Sequence, residues 1–168
     1  MKKEYLLLAI VLLLAVVVVA GVDFSGTWAL NAEKTAAANP APPAGGGGGG
    51  GGGMGKGGGG MGGGDITIKQ AGNVLTISRT MGQQGTVDTP YTMDGAEHTN
   101  SSQMGDTKYK AVLEGNSVHI TGTTSGQRGD RPVDTTYTLS DDGKTLTVAN
   151  VRQGQNGPTT SKQIYDKK

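Results

Sequence analysis

Cysteine is absent from all 168 residues. Its absence excludes a disulfide framework, a lipid-modified lipoprotein cysteine and a thiolate metal site, and leaves packing as the source of stability. Aromatic residues are scarce, with one Trp, one Phe and five Tyr, so aliphatics and threonines must build most of the interior, which is then thinly packed or partly hollow. Only two histidines occur, His98 and His119. They are too isolated for a zinc or acid-base arrangement, which needs several ligands at close spacing. No Ser stands between glycines in a nucleophile elbow, and no Ser, His and acid set can be singled out, so no catalytic residue and no enzyme activity is predicted. No cofactor is implied.

Charge of one sign is missing as well. Lys and Arg number 15 against 14 Asp and Glu, and removal of Lys2, Lys3 and Glu4 with a leader leaves 13 of each. Nucleic-acid binding rests on clustered cations that neutralise phosphates, and the chain has no such cluster. Nucleic acid is therefore excluded as a partner.

The one long apolar run lies from Leu6 to Ala20, behind Lys2 and Lys3. A charged start, an apolar middle and small residues at Val18 and Ala20 before Gly21 predict a secretory signal peptide over 1–20, with export to the periplasm or the extracellular space. The alternative is an uncleaved N-terminal anchor, although 15 helical residues span roughly 22 Å against a hydrocarbon core of roughly 30 Å. That segment is the only membrane contact the sequence implies.

Glycine is abundant and concentrated. Of residues 45–64, 17 are Gly, and Asn39-Pro40-Ala41-Pro42-Pro43 precede them. Such chain buries too little apolar surface to offset its conformational entropy, so disorder is expected from about residue 36 to 64. Gly55-Lys56 lacks the Ser or Thr and the strand-to-helix setting of a phosphate-binding loop. Met54, Met61, Met81, Met93 and Met104 are too scattered for a copper site, and read as core filling and linker composition.

From residue 65 onward, turn signals recur at regular spacing. Ala71-Gly72-Asn73, Asp94-Gly95, Glu114-Gly115-Asn116 and Asp142-Gly143 separate runs rich in Thr, Val, Ile, Leu and Tyr, the pattern of antiparallel hairpins. Alternation puts Ile66, Ile68, Leu75, Ile77, Tyr109, Ala111, Leu113, Val118, Ile120, Tyr137, Leu139, Leu146 and Val148 on one face. Thr67, Thr76, Thr121, Thr136, Thr138, Thr145 and Thr147 fall on the other. The fold class is all-β: an antiparallel up-and-down meander of about 8–10 strands closing into a small barrel, since closure removes exposed edges. The organisation predicted is a signal peptide or anchor at 1–20, a first strand at 21–30, a disordered Ala/Pro/Gly-rich insertion at 31–64, and the remaining strands at 65–168 in one domain with 21–30.

The segment Asp23-Phe24-Ser25-Gly26-Thr27-Trp28-Ala29-Leu30 resembles the first strand of the calycins, the lipocalins and fatty-acid-binding proteins. Ile164-Tyr165-Asp166-Lys167 resembles the closing strand of the latter. The resemblance implies an exported, bacterial-type lipocalin-like barrel that binds a small hydrophobic or amphipathic molecule. It also implies a Trp28 that plugs one barrel end beneath a late-strand arginine, for which Arg152 is the candidate, and a Gly tract in the position of the lid. Fatty-acid-binding proteins hold ligand carboxylates with inward basic residues. Arg79, which continues the face of Leu75 and Ile77, fits that role better than Arg128, which is flanked by glycines in a loop. Leu75, Ile77, Arg79, Tyr109, Leu113 and Tyr137 are thus the expected ligand-binding residues of a monomer. Arg128-Gly129-Asp130 reads as an ordinary turn. The alternative is a non-enzymatic envelope or extracellular protein with a packed barrel and a Gly-rich spacer.

Overall fold

The computed structural model describes residues 21–40, 64–80, 85–102, 105–126, 129–154 and 157–168. The leader, the glycine tract up to Gly63, Met81, Met104 and Arg128 lie outside the described residues, together with the expectations attached to them. Ten strands follow in order: β1 (Gly26–Leu30), β2 (Ile66–Ala71), β3 (Val74–Thr80), β4 (Thr86–Thr92), β5 (Asp94–Ser102), β6 (Gly105–Glu114), β7 (Ser117–Gly126), β8 (Gly129–Leu139), β9 (Thr145–Gly154) and β10 (Gly157–Lys167). One short helix, α1 (Ala32–Ala38), stands between β1 and β2.

All ten strands form one antiparallel sheet in the order β4-β3-β2-β1-β10-β9-β8-β7-β6-β5. The first strand joins the last, with Trp28 opposite Lys167 and Leu30 opposite Tyr165. The ribbon therefore wraps into a barrel that is nearly closed, and its two edges, β4 and β5, are consecutive in the chain.

That seam corrects one expectation. Asp94-Gly95 was expected to close a hairpin, yet β4 and β5 share no backbone ladder. Pro90 supplies the reason, because it has no N–H to donate toward β5 and so belongs on an edge. Side chains bridge the gap instead. Asn100 Nδ2 donates to the Pro90 carbonyl at 2.7 Å. The Tyr109 hydroxyl accepts from the Thr92 amide at 3.1 Å and donates to the Pro90 carbonyl at 3.4 Å. Asp94 pairs with Val112 of β6 instead, and a register shift follows between Asp94 and Glu97.

Helix α1 is the second departure, since no helix was expected and disorder was expected from about residue 36. Asn31 caps it by accepting from the Lys34 amide, and its Ala-rich sequence favours helix. Seven residues are still too few to hold a helix in isolation. Strand β10 supplies the support, because β1 ends at Leu30 and leaves the β10 edge open beyond it. Thr35 and Asn39, four residues apart on one helix face, fill that edge. Thr35 Oγ1 accepts from the Ile164 amide at 2.9 Å. Asn39 accepts from the Lys162 amide at 2.8 Å and donates to its carbonyl at 2.7 Å. Two polar side chains thus stand in for a strand.

The alternation predicted from sequence holds throughout. The expected apolar face is buried except for Leu113, which is partly buried against the core, and the expected threonines lie on the outer, part-exposed face. Phe24, Trp28, Tyr109, Tyr137 and Tyr165 are buried inside, and Tyr91 is partly buried among them.

The candidate ligand site inside the barrel

Trp28 and Phe24 are fully buried at one end of the barrel, and Trp28 Nε1 donates to the Phe24 carbonyl at 3.1 Å. The cation over the Trp28 ring is Lys167, whose Nζ lies 5.3 Å from the ring centroid. This corrects the expected partner. Arg152 is exposed and pairs with Thr159, eight residues before Lys167 and so roughly 26 Å along the strand. Register decides the matter, since β1 places Trp28 directly opposite Lys167. Gly26 fits the same arrangement: a Cβ there would sit 2.9 Å from Lys167 Cε, so the glycine gives passage to the lysine stem on its way to the ring.

Arg79 points into the barrel. It lies on the buried face of β3, is partly buried, and its Nη2 donates to the Tyr137 hydroxyl at 3.1 Å. Burial raises the phenols of Tyr137, Tyr91 and Tyr165 above their ordinary range, and the positive charge of Arg79 opposes that rise at all three. Of these phenols, Tyr137 is the one in hydrogen-bond contact with the guanidinium. A guanidinium has five N–H donors, and among the described residues no carboxylate forms an ion pair with Arg79. Among the described residues only Tyr137 accepts from it, so most of that donor capacity is unspent there.

Tyr109 lines the same interior, edge-on to Tyr91 with ring centroids 5.0 Å apart, and the fully buried Ile77 neighbours Arg79 on β3. Leu75 and Leu113 occupy the packed end, the first fully buried and the second opposite Val118. Sequence reading missed Tyr91, Tyr165 and the buried pair Thr135 and Asn150, joined by a hydroxyl to amide-oxygen bond of 2.9 Å. Tyr91 and Tyr165 could have been found from alternation, because they continue the inward faces of β4 and β10. Asn150 likewise continues the inward period of Leu146 and Val148, although its polar side chain masks the signal.

Beyond this level the barrel loosens. Pairing of β8 with β9 stops at Thr135 opposite Asn150, whereas β7 and β8 continue to Gly126 opposite Gly129 and β9 and β10 to Gly154 opposite Gly157. The two hairpin arms diverge. Inward positions here carry small or polar residues: Thr107 and Thr124, whose hydroxyls are 2.8 Å apart, Gly122, and Val133. Val87, opposite Arg79 in register, is 37% exposed. Inward positions are therefore less covered at the level of Arg79 than around Trp28, Leu75 and Leu146 at the packed end.

Two surface clefts lie elsewhere. One of about 230 Å³ indents the outer wall by Lys108, Lys110 and Gly122, and one of about 430 Å³ lies at the packed end by Val22, Asp23 and Asp142. Neither is lined by Arg79. His98 and His119 each face one carboxylate, Asp94 at 2.9 Å and Asp134 at 3.0 Å. The described residues contain no group of three His, Asp or Glu side chains placed to hold a metal ion.

A ten-strand antiparallel barrel with an apolar plug at one end and a polar, cationic interior above it is a calycin-like barrel. Solved structures with this fold include a zebrafish ileal bile acid-binding protein complexed with cholic acid, with a TM-score of 0.53 and 16% identity over 86% of this chain and 98% of that one. Others are secretory abundant heat soluble protein 4 from Ramazzottius varieornatus, at 0.54 and 17% over 88% and 96%, and the REP1-NXSQ fatty acid transporter, at 0.51 and 14% over 86% and 95%. At such identity the likeness concerns the fold. No protein-family description and no curated protein matches the sequence.

Proposed function

We propose that this chain is an exported, non-enzymatic binding protein for a small amphipathic molecule with an anionic head, held non-covalently with the head at Arg79 and Tyr137 and the apolar part among Ile77, Tyr109, Tyr91 and Val87. The observation that carries the reading is a part-buried guanidinium on the inward face of β3, bonded to the Tyr137 hydroxyl and to no described carboxylate. A guanidinium fork matches a carboxylate in two places, and the Tyr137 hydroxyl adds a third donor if it turns toward the ligand. Barrels similar to this one include a bile acid-binding protein and a fatty acid transporter, which supports a ligand of this class. Charge-assisted hydrogen bonds of this kind contribute about 1.5 to 3 kcal/mol each. Titration of a fluorescent fatty acid should therefore give saturable one-to-one binding, weakened roughly tenfold to hundredfold by Arg79→Gln. Non-saturating titration, or equal affinity in the variant, would refute the site.

The second reading, a packed structural barrel with a glycine spacer, draws support from the fully buried base around Trp28, Leu75, Val118 and Leu146. Deletion of residues 45–64 separates the two. A lid over the barrel interior predicts faster ligand exchange after deletion, whereas a spacer predicts unchanged exchange. Export rests on the leader, and the mass of the secreted protein reports cleavage before Gly21 directly.

A further inference from the structure

The arms formed by β8 and β9 divide their charge by face, cations inward and carboxylates outward. In β8, positions 131, 133, 135, 137 and 139 share the inward face, and in β9 positions 146, 148, 150 and 152 do. Arg131 and Arg152 thus occupy inward register positions at the rim, above the level of Arg79. The carboxylates of the same arms, Asp130 and Asp134, fall on the alternate face, and Asp134 is occupied by His119. Among the described residues, the inward positions of the looser half hold three arginines and no Asp or Glu. Arg131 and Arg152 are exposed and take part in no ion pair there. Because β8 and β9 part above Thr135 and Asn150, the two rim arginines stand on separate arms that flank one opening.

Spacing along the strands sets the scale. Arg131 lies six residues from Tyr137, about 20 Å, and Arg152 lies four residues beyond Val148, the partner of Tyr137, about 13 Å. Between the two cationic levels the inward positions are Thr135 and Val133 on β8, Asn150 on β9, and Thr107, Gly122 and Thr124 on β6 and β7, small or polar residues that carry no charge. A ligand with one anionic head would leave both rim arginines to solvent. A ligand with a second anion at the other end of an apolar chain would meet them.

We propose that the preferred ligand is an elongated molecule with two anionic ends, one held by Arg79 and Tyr137 in the barrel interior and the other by Arg131 and Arg152 at its rim. This inference rests on the Arg79 reading above and goes beyond it by naming a second recognition point and the ligand class it selects. The attraction at the rim is solvent-exposed, so it is modest and screened by salt.

Calorimetric titration of the full-length protein with hexadecanoate and with hexadecanedioate tests it, since the two probes share a chain length and differ in one carboxylate. The dicarboxylate is expected to bind on the order of fivefold to tenfold tighter at low salt, with the advantage lost in high salt. In the double variant Arg131→Gln/Arg152→Gln the two probes should bind alike, near the parent's affinity for hexadecanoate, whereas Arg79→Gln should weaken both. Equal binding of both probes to the parent, or a preference that survives in the double variant, would overturn the second recognition point while leaving the Arg79 site in place. Failure of both probes to bind would overturn the floor site and the rim site together.

Discussion

Single residues decide how closely the strands approach one another. Gly122 faces inward opposite Tyr109, and a Cβ there would meet the Lys108 carbonyl and lie 2.8 Å from the Tyr109 Cα. Any side chain must push β6 and β7 apart at this point. Gly122→Ala is accordingly expected to lower stability by about 1 to 3 kcal/mol, the usual cost of overpacking, read as a reduced urea midpoint with an unchanged slope. An unchanged midpoint would mean that the strands yield freely there. The inward placement of Arg79 was legible in sequence because it continues the two-residue period of Leu75 and Ile77. Arg152 was misassigned to Trp28, because periodicity gives the face a side chain points to and not its neighbour across the barrel.

At the level of elements, two edges are finished with side chains instead of backbone, and neither was legible in sequence. Pro90 marks β4 as an edge in retrospect, but the Asp94-Gly95 turn signal pointed to a hairpin. Local turn chemistry does not disclose that the two strands on either side of it end on opposite rims of a seam. Helix α1 is similar. Its residues read as linker because a seven-residue helix has little stability of its own, and its ordering comes from β10, more than 120 residues later in the chain. The double variant Thr35→Ala/Asn39→Ala removes the bonds to the Ile164 and Lys162 amides. Hydrogen exchange at those two amides is expected to accelerate at least tenfold, consistent with the loss of about 1.4 kcal/mol or more of protection, while exchange across β7 and β8 stays unchanged. Equal protection in the variant would show that α1 does not guard this edge.

For the whole molecule, stability is bounded by pH on both sides. Hydrogen bonds hold several carboxylates below their ordinary range: Ser25 to Asp23, Lys168 to Asp65, His98 to Asp94, Ser140 to Asp142 and Lys34 to Asp166. The unfolded chain then binds more protons than the folded one in acid, so this stabilisation is complete above the unfolded carboxylate value of about 4 and fades as pH falls through the lowered values. These carboxylates are largely exposed, and each contributes little. The alkaline side is governed by buried phenols. Tyr91, Tyr137 and Tyr165 are raised by burial, so the stabilisation they carry is complete below the unfolded phenol value of about 10 and fades above it. Thermal melts from about pH 2 to about pH 11 should give a plateau with a shallow decline in acid and a steeper one in alkali. Tyrosine ionisation, followed by ultraviolet absorbance, should be complete only on unfolding. Phenols that titrate normally in the folded protein would contradict the buried interior.

The sequence by itself determined the class of fold, the faces of the strands and the identity of the interior cation, because a two-residue period, turn residues and an inward Arg are local properties of the chain. Tertiary structure alone decided where the barrel stays unzipped, which cation covers Trp28, and which end of the interior is packed. Those outcomes depend on register between strands distant in sequence, and register is set only when the ends of the ribbon meet.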